Sequence, residues 1–144
     1  MASLEWPIRR SLIAYVGDLD DGEVLLAGGA RDSPAGYVFP SACEPDGDVL
    51  RFAGSVTVTG YEGALTLPIV DPWIDSEESG FRLTIQDPAA PDSRIRLVTI
   101  ARLEPQPDGT ILGRGVALAS PGSLLLTFGP YVAGTPFDDL RITT

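Results

Sequence analysis

The pattern of hydrophobic positions changes along the chain, from a helical spacing near the start to alternation over most of the remainder. Short segments rich in β-branched and aromatic residues follow one another, separated by glycine- and proline-containing turns. The predicted strands are EVLLAG, YVF, DVLRFAG, SVTVTG, GALTLPI, FRLTIQ, RIRLVTIARL, TILGRGVAL and FDDLRIT. Since no full helices alternate with these strands, the pattern predicts a mainly all-β fold, an antiparallel β-sandwich with one or two short helices.

The first predicted helix covers residues 5–17 (EWPIRRSLIAYVG). Pro7 suits the first turn of a helix and Gly17 suits its exit. Ser11 and Tyr15 are four residues apart, so they lie one above the other beside the apolar face.

The second predicted helix begins at Ser120-Pro121, a suitable cap and first turn. Its apolar face would consist of Leu124, Leu125 and Phe128, and Gly134 could close it. Between the strands, the polar and proline-rich QDPAAPDSR is expected to form a surface loop.

Length and composition limit the classes of function. The 144 residues are enough for one domain, 1–144, and the net charge of −10 disfavours nucleic acid and anionic membrane surfaces as partners. With no histidine, the chain cannot build a Ser-His-Asp or Cys-His pair, and the lone Cys43 cannot complete a zinc cluster or an internal disulfide. The N-terminus lacks the layout of a signal peptide and no apolar run is long enough to span a bilayer, so we expect a cytoplasmic location from this chain, or a cell-surface one if it is part of a longer protein.

Acidic residues form two groups, which we interpret as solvated turn residues because neither has the spacing of a glycosidase pair or of a calcium loop. The groups are Asp71, Asp75, Glu77 and Glu78 in DPWIDSEE, and Asp18, Asp20 and Asp21 in GDLDDGE.

Tyr61 is the most informative single residue. It follows GSVTVTG, in which Val56 and Val58 occupy one face and the threonines the other. If the valines point to the core, Tyr61 falls on the threonine face, away from the core, and a core role is more probable for Tyr37. Residue type alone favours the interpretation that Tyr61 is an exposed tyrosine that stabilises the hairpin by cross-strand contact.

Three motifs, in order and spread over nearly the whole chain, resemble the HtaA-type haem-binding domain of Gram-positive haem-uptake proteins. They are Trp6 followed by SLIAY, the hairpin FAGSVTVTGYEGAL, and the ending YVAGTPFDDL. The resemblance implies an antiparallel β-sandwich that holds one haem near its helical segments. It also implies haem as the ligand and a haem donor or acceptor protein as a possible partner.

The same resemblance implies the site residues. Tyr15 matches the axial iron ligand, Ser11 the contact to a haem propionate, and Tyr131 the tyrosine beside the haem. Tyr61 stands where the family has a histidine that hydrogen-bonds the ligand tyrosine, and Pro130 where the family commonly has an aromatic residue. A phenolate is a suitable donor for ferric iron.

Three functions follow as hypotheses. The first is a non-enzymatic module that captures or transfers ferric haem held by Tyr15. The second is a divergent domain of the same fold that binds no haem and acts as an interaction module or takes another apolar ligand in the same groove. The third is a hydrolase that uses Asp71 and Asp75, although the spacing of these residues does not indicate a catalytic pair.

Overall fold

The computed structural model describes residues 2–42, 49–126 and 131–143. Within these segments the chain forms strands, two short helices and one 3₁₀ turn, Tyr61–Gly63. The strands are β1 (Ser3–Trp6), β2 (Glu23–Ala27), β3 (Arg31–Ser33), β4 (Gly36–Pro40), β5 (Leu50–Arg51), β6 (Ser55–Gly60), β7 (Leu65–Val70), β8 (Trp73–Glu77), β9 (Gly80–Asp87), β10 (Ala90–Pro105), β11 (Ile111–Leu118) and β12 (Leu140–Thr143). The helices are α1 (Arg10–Gly17) and α2 (Ser120–Ser123).

The strands pair antiparallel in two sheets. Among the described strands the large sheet has the order β3-β4-β1-β12-β11-β10-β9-β8-β5, and the small sheet has the order β2-β6-β7. The predicted fold class, mainly antiparallel β with short helices, is therefore confirmed. None of the helices in the described segments has the length and apolar character needed to cross a membrane.

The hydrophobic core combines both sheets with α1. In β6 the predicted alternation is confirmed, because Val56 and Val58 are fully buried while the intervening threonines are not. Leu12 and Val16 add the buried side of α1 to the same cluster. Burial of this apolar surface is the main force that holds the helix against the small sheet, which it contacts at β6.

The first helix is shorter than predicted. It begins at Arg10, and the preceding Trp6 belongs to β1, which pairs with β4 and β12. Residues 3–6 alternate in burial with a period of two, the pattern of a strand. Ile8 has a φ of 64°, a left-handed conformation that no residue inside a right-handed helix adopts. Pro7 therefore lies in the link between β1 and α1 and not in the first helical turn.

The expected surface loop QDPAAPDSR is largely a hairpin. β9 extends to Asp87 and β10 resumes at Ala90, and Arg94 pairs with Gln86 across the two strands. The register shifts between Ala90 and Arg94, which explains why polar and proline-rich residues can continue a strand there.

Three strands were absent from the sequence prediction: β1, β3 and β8. In the other direction, the predicted strand DVLRFAG is reduced to the two residues of β5, with Asp48 outside the described segments. The second helix is short, as predicted, but it ends at Ser123, so Leu124 and Leu125 follow it instead of forming its apolar face, and Ser120 lies inside it. Ala119 is its cap, Pro121 lies in its first turn, and Gly134 lies in a separate turn with its N–H donating to Leu118 O at 2.8 Å.

Candidate functional site

The exposed side of α1 carries two of the predicted site residues. Ser11 and Tyr15 stand one turn apart on this helix, and both are exposed while Leu12 and Val16 beside them are buried. The Tyr15 side chain is 42% exposed, an unusual amount for a large aromatic residue. The phenol is therefore accessible to a ligand that approaches this side of the helix.

Tyr61 lies at the tip of the β6–β7 hairpin, as the alternation predicted, and it is also exposed, at 41%. Tyr61 and Glu62 both have left-handed backbone conformations, with φ values of 52° and 57°. Each such conformation at a residue other than glycine costs on the order of 1 kcal/mol. The turn therefore needs support from the surrounding structure.

Asp21 supplies that support. Its carboxylate accepts hydrogen bonds from the backbone N–H of Tyr61 at 3.1 Å and from that of Glu62 at 2.6 Å. Asp21 lies in the connection between α1 and β2, so it joins the end of the helix to the hairpin tip. Asp21 is exposed and lies in a turn, as predicted, but the sequence alone does not show which distant backbone groups its carboxylate reaches.

As a result, Tyr15 and Tyr61 come together. Their ring centroids are 6.3 Å apart with an interplanar angle of 53°, within the range of favourable tilted aromatic pairs. Two phenols that are 46 residues apart in the chain thus meet at one exposed position beside α1.

Tyr131 lies close to the start of α1. Its half-buried ring packs against the hydrophobic core, and the Arg9 guanidinium carbon lies 5.7 Å from the ring centroid. Arg9 Nη1 donates to Pro136 O, while its buried Nε has no acceptor among the described residues. A buried donor without an acceptor is costly, and the Arg9 guanidinium places a positive charge at this end of the helix.

The residues Ser11, Tyr15, Tyr61 and Tyr131 therefore all lie around α1 and the hairpin tip. Arg9 also lies here, and the sequence did not single it out because the predicted helix, residues 5–17, placed it inside the helix. Pro130, Phe128 and Cys43 lie outside the described residues. Tyr37, expected in the core, packs half-buried against it, and burial together with the nearby Asp32 raises the pKa of its phenol.

The acidic group in DPWIDSEE has structural partners and is not simply solvated. The Asp75 carboxylate accepts two hydrogen bonds from Arg82, at 2.9 and 3.0 Å, and Glu77 pairs with Arg96 at 3.1 Å. Asp71 accepts a hydrogen bond from the Gly54 N–H at 3.0 Å. Asp75 and Glu77 belong to β8, so the interpretation of these two as solvated turn acids was wrong, whereas Asp71 lies in a bend and is half-buried.

Chemically, the arrangement at α1 offers a hard oxygen donor, a second phenol close to it, and a cation at the start of the helix. A phenol has an ordinary pKa of about 10, so it binds best to a metal centre that stabilises its anion. Ferric iron is such a centre, and tyrosine is a known axial ligand of haem iron.

Solved structures with the same fold come from Corynebacterium glutamicum. The C-terminal domain of HtaA has a TM-score of 0.69 and 21% identity, and the match covers 98% of this chain and 93% of that domain. The N-terminal domain of HtaA has a TM-score of 0.65 and 17% identity, covering 99% and 97%. The heme binding protein HtaB has a TM-score of 0.62 and 13% identity, covering 99% and 92%.

At these identities the structural matches establish the fold alone. A sequence comparison with curated proteins gives no match. The family model of HtaA, described as Htaa, matches residues 1–143, nearly the entire chain. Together with the antiparallel two-sheet fold, that match shows that this chain is a member of the HtaA family.

Proposed function

We propose that this chain is a non-enzymatic module that binds ferric haem through Tyr15 and captures it or passes it to a partner protein. The observation that carries the proposal is the meeting of the exposed Tyr15 and Tyr61 rings, 6.3 Å apart, in a member of the HtaA family. The relative HtaB is named as a heme binding protein, which supports haem as the ligand class.

Each residue around α1 has a defined role in this proposal. The Tyr15 oxygen would hold the iron, and haem when bound supplies the ferric centre that accepts this oxygen. The Ser11 hydroxyl, one turn earlier, and the Arg9 guanidinium would face the propionates, whose negative charge suits a cation at the start of a helix. Tyr131 would provide an aromatic wall, in keeping with its position beside Arg9.

Tyr61 stands where we expect a histidine in the family. A tyrosine can donate a hydrogen bond to the ligand oxygen, as histidine can, but it cannot also carry a positive charge near neutral pH. The hydrogen bond from Tyr61 would favour the anionic form of Tyr15. We therefore propose weaker stabilisation of the Tyr15 anion than a histidine cation would give.

A hemin titration followed by absorbance tests the proposal. We expect a Soret band with the features of high-spin ferric tyrosinate, and Tyr15→Phe should abolish these features because it removes only the phenol oxygen. Tyr61→Phe should retain binding but weaken it roughly tenfold, the effect of losing one hydrogen bond to a charged group. Tyr37→Phe, on a core-packed tyrosine, is the matched control and should bind as the wild type does.

An unchanged spectrum in Tyr15→Phe would contradict the assignment of the ligand. A weak, broad absorbance in the wild type would instead favour a domain that binds no haem. One observation favours that alternative: Leu124 and Val132 are 74% and 65% exposed, so apolar surface is available for a protein partner or another apolar ligand.

A further inference from the structure

A cavity of about 530 Å³ lies on the part of the large sheet formed by β5, β8, β9 and β10. It has no lining residue in common with α1 or with the turn that carries Tyr61. The lining residues that matter here are Arg51, Trp73, Asp75, Arg82, Arg94 and Arg96. Four of the ten basic residues of the chain thus line one cavity of a protein whose net charge is −10.

The arginines of this cavity differ in their partners. Arg82 is bound to Asp75 through Nε and Nη2, at 2.9 and 3.0 Å, and Arg96 forms an ion pair with Glu77 at 3.1 Å. These two cations are therefore largely neutralised by carboxylates of the same strand, β8.

Arg94 is different, because no carboxylate of the described residues forms an ion pair with it. Its Nη2 donates to the backbone oxygens of Asp71 at 2.6 Å and Thr84 at 2.9 Å, and its Nε lies 3.4 Å from the Thr84 hydroxyl oxygen. These neutral acceptors fix the orientation of the guanidinium and account for Nε and Nη2. Nη1, with its two N–H groups, has no acceptor among the described residues.

Burial increases the need of Arg94 for a counter-charge. Desolvation lowers the pKa of Arg94, and the nearby positive charge of Arg51 lowers it further, although Asp71 and Asp75 act in the opposite direction. A guanidinium remains protonated under these conditions, so the cation is retained at an electrostatic cost. An anion in the cavity would offset that cost.

Trp73 holds two of the cations in place. The guanidinium carbons of Arg94 and Arg51 lie 3.9 and 4.6 Å from the centre of the Trp73 ring, within the range of cation–π interactions. Two like charges are thereby held against one indole, and their planar groups are ordered before any ligand arrives. Preorganised guanidinium groups are the usual receptors for phosphate and carboxylate oxygens.

We propose that this cavity binds a small molecule that carries a multivalent oxyanion, a phosphate or carboxylate group, with Arg94 Nη1 as the central donor and Arg51 beside it. The cavity volume is in the range of small-molecule sites and exceeds what a single inorganic ion needs. The two guanidinium groups already cover Trp73, so the ligand is recognised by its charge and not by stacking on the indole. This proposal does not depend on haem binding.

Calorimetric titration of the whole chain with inorganic pyrophosphate and with citrate, at low ionic strength, tests the site. We expect saturable binding of at least one of them, and none of sodium chloride at equal ionic strength. Binding of pyrophosphate alone identifies a phosphate ligand, binding of citrate alone a carboxylate ligand, and binding of both a site that recognises charge. If neither pyrophosphate nor citrate binds, the proposal is overturned.

Arg94→Gln should weaken the binding at least about tenfold, because it removes the charge and the Nη1 donors. Arg102→Gln, an exposed arginine further along β10 that pairs with Glu104, is the matched control and should bind as the wild type does. Equal weakening in both variants would show non-specific screening and refute the site. Tyr15→Phe should leave anion binding unchanged, which separates this test from that of haem binding.

A second measurement does not require a folded Arg94→Gln variant. Trp6 is fully buried against Phe137, whereas Trp73 lies in the cavity, so the anion should alter the fluorescence of Trp73. The change should be present in the wild type and lost in Trp73→Phe. A wild-type emission spectrum that does not respond to saturating anion would also overturn the proposal.

Discussion

Asp21 acts on the hairpin tip as a capping side chain acts on a helix, because one carboxylate accepts hydrogen bonds from two successive backbone N–H groups. Those N–H groups belong to Tyr61 and Glu62, the two residues with left-handed backbone. The carboxylate therefore offsets the conformational cost of a turn in which glycine would be easier to accommodate. The same carboxylate thereby supports the exposed position of Tyr61 beside Tyr15.

Replacing Asp21 should release the tip. We expect Asp21→Ala to lower the free energy of unfolding by about 1 kcal/mol, as for the loss of a capping side chain, and to weaken haem binding through displacement of Tyr61. Asp21→Asn keeps one acceptor oxygen, so it should lower the free energy of unfolding by less than Asp21→Ala does. Urea unfolding provides the measurement, with Asp20→Ala as the control, since Asp20 forms no hydrogen bond or ion pair with the described residues. Equal stability of Asp21→Ala and Asp20→Ala would refute this role.

At the scale of elements, the connection between α1 and β2 brings Asp21 to the hairpin. The chain turns back on the last turn of the helix, and the Leu19 N–H donates to Val16 O at 3.0 Å. A Cβ atom at Gly22 would overlap the Val16 carbonyl oxygen, so only glycine allows this close approach. Gly17, at the end of α1, has no atom within 4 Å of the equivalent position.

These two glycines form a matched pair. Gly22→Ala should destabilise the protein by about 1–3 kcal/mol because backbone must move to admit the methyl group. Gly17→Ala should be neutral or slightly stabilising, since alanine has the higher helix propensity. Thermal unfolding monitored by circular dichroism distinguishes them, and a Gly22→Ala variant as stable as Gly17→Ala would contradict the predicted overlap.

At the scale of the molecule, charge is unevenly distributed. Acidic residues dominate the composition, yet arginines gather at the cavity beside Trp73. At another part of the large sheet, Arg102 and Arg114 both bind Glu104, at 2.9 and 2.7 Å. Their hydrogen bonds hold the pKa of Glu104 below its ordinary value, and Thr110 similarly lowers the pKa of Asp108. Acidification should therefore destabilise this end of the sheet, because protonation of these carboxylates weakens their interactions.

The direction in which stability changes with pH follows from the lowered pKa of Glu104. A carboxylate whose pKa is lower in the folded state stabilises the fold above its unfolded pKa of about 4.3, and this contribution is lost as the pH falls through the folded value. Glu104→Gln should therefore be less stable than the wild type at pH 7, and the difference should shrink below about pH 4. Melting temperatures across this range check it, with the exposed Glu78→Gln as the control. A difference that grows on acidification would contradict the assignment.

The local sequence pattern was sufficient to predict the orientation of elements that bury only one face. Alternation in SVTVTG placed the valines inside and Tyr61 outside, and the four-residue spacing of Ser11 and Tyr15 placed both on one side of α1. It was insufficient where neighbours decide the conformation. Glu5 and Trp6, the last two residues of β1, were predicted as the start of the helix, and only the pairing of β1 with β4 and β12 selects the strand.

By itself the sequence determined the antiparallel β class, the membership in the HtaA family and the candidate residues Ser11, Tyr15, Tyr61 and Tyr131, because side-chain period and motif order are local properties of the chain. Only the tertiary structure decided that Asp21 holds the tip of the hairpin and that Arg94 lies against Trp73. Both contacts join residues about 20 or more positions apart. Their partners are chosen by how the sheets pack, and no local pattern in a single sequence encodes that choice.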